Sequence, residues 1–175
     1  MKTVDVHPLR PELFLCANNR AECVLFDLRN TRGGSTTTMP RVRTFAGATR
    51  SISSAFFSKV TGKTIATVAY DDKIRLYDTS KEEEETDPVE SIYHNNQTGQ
   101  WISPFKAEWH PTREDMFMIG SMRHPRQLDV YSDQGQLIQT LKGDSLGSIC
   151  SVVKCHPSLD VIAGGNSSGR VHVFM

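Results

Sequence analysis

Short stretches in which apolar and polar residues alternate recur along this chain, separated by turns of small or polar residues. Alternation with a period of two is typical of β-strands that bury one face. Four segments repeat one order: an alternating strand, a turn often marked His-Pro, a small-residue strand, a polar turn, and an apolar strand that closes on an aromatic residue. The predicted strands are 4–8, 13–17 and 23–27 in the first copy, 52–58, 64–69 and 73–78 in the second, 105–111, 116–120 and 128–131 in the third, and 148–157, 161–165 and 170–174 in the fourth.

The closing aromatic residues set the spacing of the repeat. From Phe26 to Tyr77 is 51 residues, to Tyr131 a further 54, and to Phe174 a further 43. This is close to the roughly 40–45 residues of a WD-repeat blade, lengthened by loops. The pattern predicts an all-β fold, a WD-repeat β-propeller. The predicted blades lie roughly at 1–50, 51–100, 101–147 and 148–175, with candidate outer strands at 41–45, 90–94 and 137–141.

The repeat count predicts a ring larger than this chain. Propellers contain roughly four to eight blades, and the usual WD form has more than four. The last copy stops at Met175 after its third strand, and the first copy begins inside its own first strand, so no stretch remains to supply the missing outer strand. We therefore expect the chain to be the C-terminal portion of a longer propeller, with about seven blades in all.

The charge balance and the cysteine content limit the kinds of ligand and partner that the chain is expected to bind. Twenty Lys and Arg residues balance twenty Asp and Glu residues, so affinity for nucleic acid must come from local patches. Cys16, Cys23, Cys150 and Cys155 lie in or beside apolar stretches and lack the paired spacing of a zinc site. We expect free thiols in a reducing compartment, no metal or other cofactor, no membrane span and no small-molecule substrate.

Loop positions in a four-stranded blade sort the charged residues between two faces. The turns between second and third strands share a face with the connections between blades, and the remaining turns lie on the opposite face. The first face is expected to be mostly basic, interrupted by Asp71 and Asp72. The opposite face carries the His-Pro turns, where the recurring His7, His110 and His156 are expected to be structural capping residues. It also carries the acidic run 82–85, which we predict to be a solvated, disordered loop. An ordinary mixture of solvated charges is the alternative interpretation.

The connection 94–104 is the most distinctive loop of the first face. It is polar and rich in turn residues, and it carries Trp101 near its far end. An exposed Trp there would be a wedge or a stacking platform for nucleic-acid bases. Alternatively, Trp101 folds back and covers the blade, as most Trp residues are largely buried.

Three stretches carry a family resemblance. The segment 100–111, the segment 164–174 and the tripeptide His124-Pro125-Arg126 resemble the WD repeat-containing protein 76 family, which is related to damage-binding protein 2. The resemblance spans essentially the whole chain. It implies a nuclear protein that binds DNA, with some preference for ultraviolet-damaged duplex, in DNA-damage and chromatin contexts.

The resemblance also implies a set of DNA-binding residues. In damage-binding protein 2, a hairpin before the matching Pro-x-Lys-Ala-x-Trp-His-Pro stretch inserts Phe, Gln and His at the lesion. The positions here are Gly99, Gln100 and Trp101, so the Gln is kept while Gly replaces Phe and Trp replaces His. Only Trp101 could then act as the apolar wedge. Candidate phosphate contacts are Arg50, Lys106, Arg123 and Arg126.

A second resemblance concerns Phe26-Asp27-Leu28-Arg29. It is similar to the Trp-Asp-x-Arg motif through which WD-repeat substrate receptors dock on the adaptor of cullin-4 ubiquitin ligases. Asp27 and Arg29 are the docking candidates, on the face opposite the DNA loops. The alternative is that Asp27 closes a blade turn and Arg29 is a solvated loop residue.

Two further function classes have partial support in the sequence. Gly143-Asp144-Ser145-Leu146-Gly147 fits the G-x-S-x-G pattern of esterases, but it joins an outer strand to the next blade, whereas a nucleophilic Ser requires a strand-to-helix elbow. We therefore expect no enzyme. The remaining alternative to DNA binding is a protein-interaction scaffold whose basic face binds an acidic peptide.

Overall fold

A computed structural model describes residues 1–30 and 41–175 of the chain. The described residues contain sixteen strands, one short 3-10 helix at Leu28–Asn30 and no α-helix. Within those ranges, no helix has the length and apolar character needed to cross a membrane. The strands are β1 Thr3–Val6, β2 Leu13–Ala17, β3 Cys23–Asp27, β4 Arg41–Phe45, β5 Ile52–Phe57, β6 Thr64–Ala69, β7 Lys73–Asp78, β8 Glu85–Thr86, β9 Glu90–Tyr93, β10 Glu108–Trp109, β11 Met116–Gly120, β12 Leu128–Ser132, β13 Leu137–Leu141, β14 Cys150–Cys155, β15 Ile162–Asn166 and β16 Val171–Phe174.

The strands form four sheets that follow one another along the chain. The first sheet has the order β1-β2-β3-β4-β8, the second β5-β6-β7-β9, the third β10-β11-β12-β13 and the fourth β14-β15-β16. Every pairing between neighbours is antiparallel except that of β4 with β8. This succession of antiparallel meanders is the architecture of propeller blades, and it confirms the predicted all-β WD-repeat fold.

Successive sheets pack face to face through apolar side chains. One core cluster joins the first and second sheets around Leu15, Phe57 and Tyr77, and a second joins the second and third sheets around Trp109. The innermost strands also meet: β1 packs on β5, β5 on β10, and β10 and β11 on β14. The indole Nε1 of Trp109 donates to the Phe56 carbonyl 3.1 Å away, so this buried polar group is satisfied by the neighbouring sheet.

Most predicted strands agree with the structure, because their alternation reflects a buried face. The predicted second and third strands of the first two copies coincide with β2, β3, β6 and β7. The first strand of the third copy was predicted too long, since only Glu108–Trp109 pairs with β11. Phe105 and Ala107 are nevertheless buried, which explains why the segment has the pattern of a strand.

The acidic run 82–85 departs from its prediction as a disordered loop. Its carboxylates are exposed, as expected, but Glu85 and the buried Thr86 form β8 on the outer edge of the first sheet. Thr44 N donates to Glu84 O at 2.8 Å, and Ala46 N donates to Thr86 O at 3.0 Å. A loop of the second sheet is thus ordered by the unpaired edge of its neighbour, which otherwise would remain open.

Candidate nucleic-acid interface

The meander topology places two kinds of loop at the same end of every sheet. The turns after β2, β6, β11 and β15 lie beside the connections that lead from one sheet to the next. We call this end the Trp101 face and the opposite end, with the turns 7–12, 58–63, 110–115 and 156–161, the His-Pro face. The predicted DNA-binding residues lie in segments of the Trp101 face, or directly beside them at Lys106.

The loop that carries Trp101 is held at its root by the β6–β7 turn. Asn96 N donates to Asp72 Oδ1 at 2.8 Å, and Gln97 Nε2 donates to the same oxygen and to the Tyr70 carbonyl. Asn96 Nδ2 donates to the Ala69 carbonyl, while its Oδ1 lies 2.7 Å from His94 Nδ1. Burial lowers the pKa of His94 despite the Asn96 bond, so the imidazole is neutral at neutral pH. The root is therefore fixed by directed bonds.

The tip of this loop is a tight turn that projects its side chains into solvent. Ile102 N donates to the Gly99 carbonyl at 3.0 Å, which places Gln100 and Trp101 at the two central positions. Trp101 is 85% exposed. The alternative that Trp101 folds back to cover the blade is therefore wrong. A large apolar side chain on a rooted turn has the form that a wedge or stacking platform requires.

Gly99 lies at the start of the same turn with open space around it. A Cβ placed on Gly99 would have no heavy atom within 4 Å, and its φ lies outside the left-handed region. A larger side chain can therefore be introduced here without strain or collision. The turn can carry an aromatic residue at this position although the sequence has glycine.

The two aspartates that interrupt the basic pattern are both used inside the structure. Asp71 pairs with Arg75 at 2.7 Å and accepts hydrogen bonds from Thr49. Partial burial would raise the pKa of Asp71, but the bonds from Arg75 and Thr49 outweigh it and lower that pKa. Asp72 anchors the Trp101 loop and adopts a φ of 59°, which Asp tolerates. Their negative charge is thus partly neutralised by internal partners.

The candidate phosphate contacts differ in how they are presented. Arg50, Lys106 and Arg123 are exposed, and the burial of Phe105 and Ala107 on either side turns Lys106 outward. The guanidinium of Arg126 folds back instead, with Nη1 donating to the Met122 carbonyl at 2.8 Å. Arg126 is therefore the least available of the four to a phosphate.

The structure gives Trp101 a different set of neighbours from the predicted set. It shares a shallow cleft with Ser103, Val152, Asn166 and Arg170, so the nearest exposed cation in that cleft belongs to the β15–β16 turn. Arg123 lines a separate cleft with the exposed Tyr93 and with Asn95. The sequence interpretation missed Arg170 and Tyr93. An Asx-type turn at Asn166 was a local signal for the first, since Asn166 Oδ1 accepts from Ser168 N and Arg170 N.

On the His-Pro face, Asp27 and Arg29 form one preassembled unit. Arg29 Nη2 lies 2.7 Å from Asp27 Oδ2, and its Nε and main-chain N donate to Asp27 Oδ1. The Arg29 hydrogen bond lowers the pKa of the Asp27 carboxyl. Asp27 closes the turn, as one interpretation held, while Arg29, whose Nη1 also lies 3.4 Å from Glu12 Oε1, remains 68% exposed by side chain.

Two other sequence interpretations agree with the geometry. His7, His110 and His156 each accept hydrogen bonds at Nδ1 from the main-chain N atoms two and three residues later, which confirms a capping role. The segment 143–147 connects β13 to β14 through a turn in which Leu146 N donates to the Gly143 carbonyl. Ser145 therefore does not lie on a strand-to-helix elbow.

The chain is similar along its whole length to two groups of curated proteins. It is 40% identical over 174 residues to WD repeat-containing protein 76 of Xenopus laevis and 39% identical over 177 residues to that of Mus musculus. It is 32% identical over 184 residues to DNA damage-binding protein CMR1 of Chaetomium globosum. These matches cover 98–100% of this chain but only 28–34% of the relatives, so the chain spans about a third of their length or less. No protein-family model matches the chain.

Proposed function

We propose that this chain, a homologue of WD repeat-containing protein 76 along its whole length, belongs to a nuclear protein that binds DNA or chromatin and prefers ultraviolet-damaged duplex. The observation that carries the proposal is the exposed Trp101 at the tip of a turn whose root is hydrogen-bonded to the β6–β7 turn. The CMR1 relatives are named DNA damage-binding proteins, and their similarity also spans nearly the whole chain. Both lines support a role in the DNA-damage response.

The physical argument is one of preorganisation. Insertion of a side chain between base pairs requires unstacking at a cost of a few kcal/mol, and a damaged step requires less. A rooted turn offers its Trp without first having to order the loop, so more of the stacking free energy remains for binding. Arg50, Lys106, Arg123 and Arg170 are exposed cations that can supply sequence-independent phosphate contacts.

The test is fluorescence anisotropy of labelled duplexes with the full-length protein, with and without an ultraviolet photoproduct, at two salt concentrations. Trp101→Ala is expected to remove the preference for damaged duplex, which corresponds to roughly 1–3 kcal/mol. Tyr93→Ala is the matched control, because Tyr93 is also an exposed aromatic residue but lines a different cleft. Equal binding of both duplexes by the unmodified protein contradicts the proposed preference.

A gain-of-function variant gives a second, independent measurement. Gly99→Phe adds an aromatic residue where the structure has open space, so its folding should be unaffected. We expect tighter binding of damaged duplex, while binding of undamaged duplex changes little. If the protein binds neither duplex more tightly than an unrelated propeller does, the alternative function applies. In that case the protein is a scaffold whose Trp101 face docks an acidic peptide.

We also propose that Asp27 and Arg29 dock on the adaptor of a cullin-4 ubiquitin ligase, which would make the protein a substrate receptor. The supporting observation is the exposed, preassembled Asp27–Arg29 unit on the face opposite Trp101. Arg29→Ala is expected to weaken co-purification of the adaptor. Arg113→Ala is the matched control, because the Arg113 guanidinium likewise donates through Nε and Nη2 to an aspartate two residues away, Asp115. Equal adaptor recovery from both variants contradicts the docking proposal.

A further inference from the structure

Three junctions on the His-Pro face can be compared position by position. Each is the contact between the turns that join the first two strands of successive sheets: 7–12 with 58–63 at the first junction, 58–63 with 110–115 at the second, and 110–115 with 156–161 at the third. The first residues of the four turns are His7, Ser58, His110 and His156, and the fifth residues are Pro11, Gly62, Glu114 and Asp160.

At the second junction, the fifth residue of the later turn is a carboxylate that binds the earlier turn. Glu114 Oε2 accepts hydrogen bonds from Val60 N at 3.2 Å and Thr61 N at 3.0 Å. Glu114 Oε1 accepts from the hydroxyls of Ser58 and Thr61. Four donors of one sheet are thus satisfied by a single acidic side chain of the next.

The third junction repeats this arrangement with fewer bonds. His110 Nδ1 accepts from the main chain, so the remaining ring proton is on Nε2. That Nε2 lies 3.4 Å from Oδ1 of Asp160, which again is the fifth residue of the later turn. A carboxylate of the following sheet therefore faces the leading residue of the preceding turn at both junctions.

The first junction lacks this carboxylate. Its fifth residue is Gly62, which approaches so closely that a Cβ would lie 2.6 Å from Nε2 of His7. His7 Nδ1 also accepts from the main chain, so its ring proton is on Nε2, 3.3 Å from Nη2 of Arg10. Two N–H donors lie side by side here, and no acceptor of the described residues lies between them. Burial, followed by the charge of Arg10, lowers the pKa of His7 and keeps its ring neutral.

A cleft of about 820 Å³ opens at this junction, and it is basic. Four basic side chains line it against two acidic ones, and one of those acids, Asp27, is already paired with Arg29. No carboxylate lies within ion-pair distance of Arg10, Arg43 or Lys63 among the described residues. Exposed Leu9 and Val42 supply an apolar wall beside these cations.

Arg43 is unusual among the cations of this cleft because it is only 9% exposed. Its Nη1 donates to the Thr79 carbonyl at 2.9 Å, and no carboxylate of the described residues forms an ion pair with it. Burial lowers the pKa of Arg43, although the charges of Glu82, Glu83 and Asp78 oppose this effect while that of Arg10 adds to it. Buried charges in proteins are generally paired, so an unpaired guanidinium on the wall of a cleft indicates a site for an anion.

We propose that this cleft binds an acidic segment of a partner protein, whose Asp or Glu carboxylate takes the place that Glu114 and Asp160 fill at the other two junctions. The cations Arg10, Arg43 and Lys63 bind the carboxylate, and Leu9 with Val42 contact an apolar residue next to it. The site lies on the face opposite Trp101 and does not depend on DNA binding.

The test is anisotropy of a labelled short peptide of alternating Leu, Glu and Asp, measured on the full-length protein. A neutral peptide of Leu, Gln and Asn is measured beside it. We expect the acidic peptide alone to bind, more weakly at higher salt because the contacts are charged. The double variant Arg10→Ala with Lys63→Ala is expected to weaken binding roughly tenfold or more, since both removed cations contact the ligand.

Arg113→Ala is the matched control, because Arg113 has the turn position of Arg10 but is already bound to Asp115. It is expected to leave peptide binding unchanged. The proposal is overturned by three results: no binding of the acidic peptide, equal binding of the neutral peptide, or an unaltered affinity in the double variant. It is also overturned if duplex DNA, added as competitor, binds through Arg10 and Lys63 more tightly than the peptide. Because Trp101 lies on the opposite face and is unchanged in these variants, the outcome is separate from the proposed DNA binding.

Discussion

Arg75 and Arg43 are both buried in neighbouring sheets, but within residues 1–30 and 41–175 only Arg75 has a carboxylate at ion-pair distance. Arg75 is 3% exposed and pairs with Asp71 at 2.7 Å, so its charge is balanced inside the fold. Arg43 is 9% exposed and donates to the Thr79 carbonyl, with no ion pair among the described residues. Arg75 thus has a structural role inside its sheet, while Arg43 lines a cleft. The difference teaches that an internal carboxylate, rather than burial, separates a structural cation from one available to a ligand.

The junctions of the His-Pro face extend this comparison. The second junction is closed by Glu114 and the third by Asp160, while the first has Gly62 at the matching position. The carboxylates that bind across a junction should contribute to the free energy of unfolding. The cations that have no such carboxylate should contribute little to it. The five predictions below test this division, from the largest expected change in the free energy of unfolding to the smallest.

Asp71→Ala should give the largest loss. It leaves the Arg75 guanidinium buried without its carboxylate, and removal of one partner of a buried ion pair typically costs about 3 kcal/mol or more. Urea unfolding followed by tryptophan fluorescence measures the change. Asp71→Asn, which retains acceptors for the Thr49 bonds, should lose less. A loss below about 1 kcal/mol in Asp71→Ala would show that Arg75 does not need its partner.

Glu114→Ala should lower the free energy of unfolding by about 2 kcal/mol, because several partly buried donors lose a charged acceptor. Asp115→Ala is the control, since the neighbouring Asp115 makes only an exposed pair with Arg113 and should change stability by under about 0.5 kcal/mol. Equal losses in the two variants would contradict the role assigned to Glu114.

The Glu114 contribution should also depend on pH. Burial acts against ionisation, but the hydrogen bonds from Ser58, Thr61 and Val60 outweigh it and lower the pKa of Glu114. A lowered folded-state pKa stabilises the fold above the unfolded value of about 4.3, and this contribution is lost as the pH falls through the folded-state pKa. The stability difference between the unmodified protein and Glu114→Gln should therefore shrink on acidification below about pH 4.

Arg43→Met should change the free energy of unfolding by less than about 1 kcal/mol in either direction, because the substitution removes an unpaired buried charge and keeps an apolar stem. The same variant should lose binding of the acidic peptide. Its contrast with Asp71→Ala is the sharpest test of the comparison. A destabilisation as large as that of Asp71→Ala would make Arg43 a structural residue.

Asp160→Ala should have the smallest effect, under about 0.5 kcal/mol, because Asp160 is exposed and its contact with His110 is 3.4 Å long. Thermal unfolding monitored by circular dichroism is sufficient to detect a larger change. A loss as large as that of Glu114→Ala would mean that a carboxylate at the fifth turn position stabilises the fold regardless of how many bonds it makes.

The strand pattern and the class of fold could be predicted from the sequence because they depend on local alternation. Strands β2, β3, β6, β7, β11 and β13 begin and end where the alternation does. The capping role of the His-Pro turns was likewise predictable, since Nδ1 of each His bonds to its own turn. The two-residue strand β8 was not, because Thr86 is ordered by the edge of another sheet.

The candidate site was predictable only in part, because its members lie on separate segments. The sequence indicated that the loop 94–104 is special, but the exposure of Trp101 depends on the bonds from Asn96 and Gln97 to Asp72. Arg123 and Arg126 are basic residues of the same turn, and the sequence does not distinguish them. In the structure, however, the Arg126 guanidinium donates to a carbonyl of its own turn. Neither outcome follows from the order of residues in one loop.

The sequence by itself therefore determined the strands, the repeat and the turns that each blade builds from adjacent residues. Only the tertiary structure decided which turns are bound by a carboxylate of the next sheet, because a carboxylate and its partner at a junction are about fifty residues apart along the chain. A pattern with a period of two specifies which side of a strand is buried. It carries no information on which side chain of the next sheet will meet it, and at the first junction that side chain is absent because the residue is Gly62.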